Sequence, residues 1–335
     1  MFNRLLGGLG RVLIFSGVVL LLFVGFQLWG TTLYESSEQD ALADTLAREV
    51  LGDDADADPS TVDISAQLAK VDPTTVDPEP APPEGEPGGF LRIPRIGLED
   101  RMFVEGVSKA DLRKGPGHYP STPMPGQPGN SAIAGHRTTY GAPFNRIDEL
   151  VPGDRIEVFT RQGRFVYEVV PVEPPPEGRA YVEQGAGWFS VRPADSWVIG
   201  PSEENLLTLT ACHPKYSARQ RIIVRAKLVS DAAPPAPADT AATPARADAD
   251  ADGANDTDTD TDADALIAGD PDEKAPAIAW GAGFLALWGA MWGFSARTIR
   301  RGRGRWWPAF AAGVPASAVL LWVCFTHLDR FLPSY

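Results

Sequence analysis

An apolar run without a single charge, Val12 to Trp29, sets the first limit on what this chain can fold into. At about 18 residues it has the length of a membrane span. Arg4 and Arg11 precede it and acidic residues follow it, which sets the N-terminus inside. A cleaved signal peptide is the rival reading. The run is long for a signal-peptide core, however, and Gly30-Thr31-Thr32-Leu33-Tyr34 offers no Ala-x-Ala site. We expect an uncleaved signal anchor. Two more apolar stretches, Ala277–Ala296 and Trp307–Phe325, flank the arginine-dense RTIRRGRGR. The same charge rule makes that loop cytoplasmic and the pair a hairpin, although Pro308, Gly313 and Pro315 interrupt the second stretch.

Between these ends the charge is unevenly spread. The formal net charge is −14, yet Phe90–Val229 is near neutral, about three charges to the basic side. Most of the acidity sits in Glu35–Glu86 and Asp231–Glu273. The first of these, rich in Asp, Glu, Pro and Ala, reads as a spacer of little order with a short helix at Leu42–Leu51. Its DDADAD run lacks the glycine and terminal glutamate of a calcium-binding EF-hand loop. The second contains the low-complexity DADADGANDTDTDTDADA. No basic patch interleaved with aromatics is present, which excludes nucleic acid as a partner. The expected division has residues 1–11 cytoplasmic, 12–30 spanning and 31–88 as an acidic Pro-rich linker. It continues with 89–230 as the folded domain and 231–276 as an acidic linker. Spans at 277–296 and 307–326 flank a basic loop, 297–306, and 327–335 is a short extracytoplasmic tail.

Within the folded part FLRIPRIGL, NSAIAGH, DRIEVFT, RFVYEVVPV, SWVIG, NLLTLTAC and RIIVRAKLV have strand character, with Gly and Pro punctuation between them. Arg161-Gln162-Gly163 joins two of them as a hairpin. Ser108 can cap a brief helix in KADLRKG, and Phe144–Leu150 can form another. Many short strands with few helices imply a mostly β fold, a closed or nearly closed barrel.

Chemistry concentrates in TLTACHPKYSARQRIIVRAKL, Thr208 to Leu228. Cys212 ends one strand-like run and Arg221 opens the next. A thiol at a strand end is held rigidly and still exposed, and an arginine beside it supplies permanent positive charge. The bland alternative is a buried, inert core cysteine. Alternation along the second run puts Arg221, Ile223, Arg225 and Lys227 on one face and the apolar Ile222, Val224, Ala226 and Leu228 on the other. Arg225 then lies about 7 Å beyond Arg221, while Arg219, in the turn, is a rival cation. Of four histidines, His136 follows the apolar SAIAG and precedes a polar turn. His213 adjoins Cys212 and so points to the opposite face, His118 lies in a loop that can also reach the site, and His327 is beyond the last span. No C-x-x-C or H-x3-5-H spacing supports a zinc site, and we expect no metal or cofactor. Cys324 sits inside an apolar run, so the exported domain holds one unpaired thiol and no resolving cysteine.

Taken together, TLTACHP with an arginine nine residues after the cysteine, AGHRTTYGAPF and GPGHYP resemble the sortases. These are membrane-anchored cysteine transpeptidases of Gram-positive bacteria, and the pattern is most like class E, the housekeeping type of actinobacteria. The resemblance covers roughly Phe90 to Val229. It implies an eight-stranded sortase-type β-barrel with short helices, carrying transmembrane helices at both ends. It assigns Cys212 as nucleophile, His136 as general acid and base, and Arg221 to the oxyanion. The reaction it implies is cleavage after the threonine of an LPXTG- or LAXTG-type sorting signal through a thioester. An amine of a peptidoglycan precursor then accepts the secreted protein. Tyr119, Thr139 and Tyr140 are candidate substrate-groove residues, Tyr119 with family support. Ala211 replaces a threonine common in the family, which bears on fine substrate preference. L,D-transpeptidases, which place a histidine and a serine shortly before their cysteine, fit LLTLTAC poorly. A hydrolytic cysteine peptidase and an inert membrane-anchored binding module are the rival functions.

Overall fold

A computed structural model describes residues 2–51, 63–237, 271–300 and 307–332. Its helices are α1 (Phe2–Gly25), α2 (Thr31–Leu51), α3 (Ile64–Leu68), α4 (Lys109–Leu112), α5 (Lys274–Arg300) and α6 (Trp307–Phe331). The DDADAD tract, most of the second acidic segment and the centre of the basic loop lie outside the described residues. Two compact units divide the chain: residues 1–30 with 267–334, and residues 31–266.

The first unit is helical. Aromatic side chains pack α1 and the π-helical turn Phe26–Gly30 against α5 and α6. Phe15 stacks on Phe284 with centroids 6.2 Å apart, and Phe26 meets Trp322 edge-on at 4.9 Å. Leu13, Ile14, Leu21, Ile278 and Val319 are exposed, an outward apolar surface suited to lipid. The helical run from Leu13 and the stretch Lys274–Thr298 are long and apolar enough to cross a membrane. Helix α6 carries Pro315 within it.

The second unit is built on strands β1 (Pro87–Ile93), β2 (Leu98–Glu105), β3 (Gly117–His118), β4 (Asn130–Ala134), β5 (Arg155–Thr160), β6 (Gly163–Val169), β7 (Glu183–Gln184), β8 (Phe189–Val191), β9 (Leu206–His213) and β10 (Gln220–Leu228). Eight of them close a ring in the order β6, β5, β1, β2, β3, β4, β9, β10, with β10 returning to β6. This is the expected eight-stranded barrel, and closure leaves no ring strand with an unpaired edge. The β7–β8 hairpin branches from it. Strand β10 pairs with β8 through Arg221–Ile223 and with β6 through Ala226–Leu228.

Inward alternation fills the barrel. Leu207, Leu209 and Ala211 from β9 and Ile222, Val224 and Ala226 from β10 join one apolar cluster with Leu91, Phe103, Ile133 and Phe165. The hairpin at Arg161-Gln162-Gly163 joins β5 and β6 as expected. Ser108 caps α4 with a full capping box to Asp111. Two strand expectations need correction. FLRIPRIGL breaks at a 3-10 turn, Pro94–Ile96, because Pro94 cannot donate to a ladder. Ser196–Ile199 is likewise a 3-10 turn, from which Trp197 stacks toward Phe189 with centroids 6.3 Å apart.

The spacer expected over residues 31–88 is also more structured than its composition implies. Helix α2 runs from Thr31, eleven residues earlier than the Leu42 start. Its Leu42 and Leu46 and α3's Leu68 bury against Phe90, Met102, Val104 and Phe159 on the barrel's outer wall. Composition averaged over the acidic tract hides these apolar residues, whose burial sets the local structure.

Candidate active site

Strands β9 and β10 are antiparallel, with Cys212 directly opposite Arg221. Residues opposed in such a ladder project from the same face with Cβ atoms about 5 Å apart. That face is the barrel's outside, because Ala211 and Ile222 face the core. Ala211 therefore points away from the face that carries Cys212. The Arg221 guanidinium donates to the carbonyls of Ala218 (3.1 Å) and Gln220 (3.2 Å). Arg219 is exposed. Arg225 is occupied over Phe189 and Trp197, 5.6 Å from each ring, and donates to Val198 O.

Cys212 is half-buried. Burial pushes its thiol pKa up, and the charges of Arg221 and Arg137 pull against that rise. That direction favours the thiol over the thiolate.

His136 follows β4, which runs parallel to β9 with Ala134 paired to Thr210. The ladder ends there, with Gly135 N–H still donating to Thr210 O at 3.0 Å, and His136 follows two residues past the partner of Thr210, which itself lies two residues before Cys212. Gly135 permits the turn: a Cβ there would meet the Phe144 ring at 2.6 Å. The turn closes through Phe144 N–H to His136 O at 3.0 Å. His136 is 8% exposed, and the Tyr140 ring lies 5.4 Å from its own.

The other histidines of this unit are engaged. His118 is fully buried, with Nδ1 2.7 Å from Glu105 Oε2 and Nε2 3.0 Å from Pro123 O. His213 Nδ1 accepts from Arg137 at 3.2 Å, so its Nε2–H donates to Glu183 at 3.2 Å.

Tyr119 follows β3, and its hydroxyl lies 3.2 Å from Thr210 Oγ1. Thr210 is two residues before Cys212 and shares its face. Burial raises the Tyr119 pKa, the Thr210 hydrogen bond and Arg221 lower it, and Cys212 raises it, so this phenol lies within the field of both site residues. Tyr140 is buried in the His136 turn. Thr139 precedes it, its carbonyl receiving the Ala142 N–H at 2.9 Å and its side chain half-buried.

Sequence reasoning missed Arg137. It is 1% exposed and ties Asp148 (2.8 Å) to His213, bracing the chain immediately after Cys212. Trp188 covers His213 with ring centroids 5.3 Å apart. The only signal was its position beside His136, since a buried arginine has no spacing signature.

Residues 91–229 match the sortase domain family. The chain carries a sortase domain. It is 33% identical over 236 residues to "Sortase SrtE1" of Streptomyces coelicolor, covering 67% of this chain and 57% of the relative. To "Sortase SrtE2" of the same organism it is 28% identical over 232 residues, 66% of this chain and 81% of that one. A solved structure of sortase E from Streptomyces avermitilis is 34% identical, covers 44% of this chain and 90% of its own, and has a TM-score of 0.35. The sortase domain is thus the barrel that carries Cys212 and Arg221, and the relatives named here are of the E type.

Proposed function

We propose that this chain is a membrane-anchored cysteine transpeptidase acting on secreted proteins with a C-terminal sorting signal of LPXTG or LAXTG type. The observation that carries the reading is the pairing of Cys212 with Arg221 across β9 and β10, with His136 two residues past the end of the adjoining β4. The thiol loses its proton toward His136 as sulfur attacks the carbonyl carbon of the signal's threonine. Arg221 stabilises the oxyanion. The carbon–nitrogen bond to the next residue then breaks, and the protonated His136 returns a proton to the departing amine. A thioester to Cys212 remains. An amine of a peptidoglycan precursor attacks it, forming a new amide and restoring the thiol. Tyr119, with its hydroxyl on Thr210, would line the groove for the second residue of the signal, with Thr139 and Tyr140 on the His136 side.

The charge pattern supports a multi-pass topology with the barrel outside the cell. The N-terminus and the basic loop 297–306 are cytoplasmic, and the first span, the two acidic segments and the hairpin have the limits given above. Tethering would raise the effective concentration of membrane-bound donor and acceptor.

The test uses the full-length chain in detergent micelles with an LAXTG peptide and an amine acceptor, read by mass spectrometry. A transfer product, lost in Cys212→Ala, His136→Ala and Arg221→Ala, is expected. Hydrolysis alone would overturn transfer in favour of a peptidase. No thioester together with an unreactive Cys212 would leave an inert binding module.

A further inference from the structure

Helix α2 reaches the turn that carries His136. Its first turn makes three contacts there. Thr31 Oγ1 accepts the Tyr140 N–H at 3.3 Å. The Tyr34 ring meets the Tyr140 ring edge-on, centroids 6.3 Å apart. Glu35, 1% exposed and paired with Arg101 of β2, fills the space beside Gly141, where a Cβ would meet its carboxylate at 2.6 Å. One turn on, Gln39 fixes the helix to the barrel. Its amide nitrogen donates to Met102 O (3.0 Å) and Lys114 O (2.8 Å), and its oxygen accepts the Met102 N–H (2.9 Å). Arg113, at the end of α4, lies 6.0 Å from the centre of the Tyr140 ring.

The turn needs such support. Tyr140, Gly141 and Ala142 have φ of 50°, 70° and 44° in succession. Left-handed residues other than glycine are uncommon, and they persist where the surroundings over-determine them. The Tyr140 ring that α2 contacts is the one lying 5.4 Å from His136.

We propose that α2 is a working part of the active site, its Thr31, Tyr34 and Glu35 acting as positioning residues that hold the turn Tyr140–Ala142 and so orient His136. The helix reaches the imidazole through Tyr140, and it begins at Thr31, two residues past the end of the N-terminal apolar run. The inference rests on the role given above to His136, and it adds to that role a dependence on residues outside the matched domain. A fragment beginning at Phe90 therefore lacks one support of the site.

The experiment uses the full-length chain in micelles, with hydrogen exchange over residues 136–144 and the kcat and KM of transfer read together. Thr31→Val and Tyr34→Ala are expected to speed exchange at the Tyr140 amide. Each should lower kcat about tenfold with KM within twofold, since small misplacement of a proton-transfer group is costly. Thr31→Ser and Tyr34→Phe, which keep the hydroxyl and the ring, should restore both. Leu46→Ala, a core change farther along the helix, should lower Tm without the same kcat loss. Unchanged exchange in Thr31→Val and Tyr34→Ala overturns the proposal. So does faster exchange with kcat intact, or an equal kcat loss in Leu46→Ala. An inactive wild type whose exchange still responds to these variants would refute the transpeptidase reading and with it the orienting role, while the hold of α2 on the turn would stand on the exchange data.

Discussion

The two sides of the site are held by different means. Cys212 and Arg221 stand on adjacent strands whose register runs unbroken from Gln220–His213 to Lys227–Leu206, so the backbone ladder fixes their pairing. His136 stands on a turn with three left-handed residues, braced by Tyr140, Asn145 and the first turn of α2. A ladder tolerates side-chain change away from the site, whereas a braced turn depends on each brace. The nucleophile side should therefore fail through charge and the histidine side through packing.

Charge loss should have the largest effect. Arg221→Ala is expected to lower kcat by about 10²–10³, the scale for losing an oxyanion-stabilising group. It should also shift alkylation of Cys212 to higher pH. Burial already raises that thiol and Arg221 opposes the rise, so removing the cation raises the pKa further and slows alkylation at any fixed pH below it. Arg137→Met should move the alkylation profile the same way by less. An unmoved profile in Arg221→Ala would mean that the register pairing has no electrostatic consequence.

Next comes the anchor of α2. Arg101→Ala leaves Glu35 buried without its cation and should cost about 3 kcal/mol at pH 7, measured by urea unfolding. Burial raises the Glu35 pKa and Arg101 lowers it in part. With the folded pKa above the unfolded one, the protonated form contributes stability at low pH, and that contribution is lost as pH rises through the raised value. Removing Arg101 raises it further, so the cost should shrink toward pH 5. An equal cost at both pH values would show that Glu35 stays charged throughout.

Leu46→Ala should follow at about 2–3 kcal/mol, the range for a truncated core leucine, by thermal or urea unfolding. The smallest effect is expected for Arg219→Ala. This residue is exposed in the turn, and kcat should stay within twofold. A loss matching that of Arg221→Ala would reverse the choice between the two arginines.

Alternation made the strands legible. Ile222, Val224 and Ala226 face the core as their spacing implies, and the same alternation put Arg221 outward. Ile223, on the outward face, is nevertheless fully buried with Val198 and Phe189, because the β7–β8 branch covers it. No local pattern in β10 could report a hairpin arriving from elsewhere in the chain. The first part of helix α2, ahead of the helix expected at Leu42–Leu51, escaped notice for a related reason. Its exposed side is acidic enough to resemble a spacer, and the residues that hold it to the barrel, among them Glu35, Gln39, Leu42 and Leu46, are scattered along that acidic run. Arg137 was invisible because burial of a charge depends on partners such as Asp148 and His213, brought close only by folding.

The divided edge of β10 has a consequence for how such a protein can diversify. Barrel closure uses Ala226–Leu228, while the hairpin docks on Arg221–Ile223. The stretch from Pro171 to Trp188 contributes no pairing to the closing ladder. It also delivers Glu183 and Trp188 to His213, next to Cys212. The chain keeps a segment outside the barrel closure within one residue of Cys212, a place where, on the proposed reading, new acceptor or donor preferences can be tried while the scaffold stays unchanged.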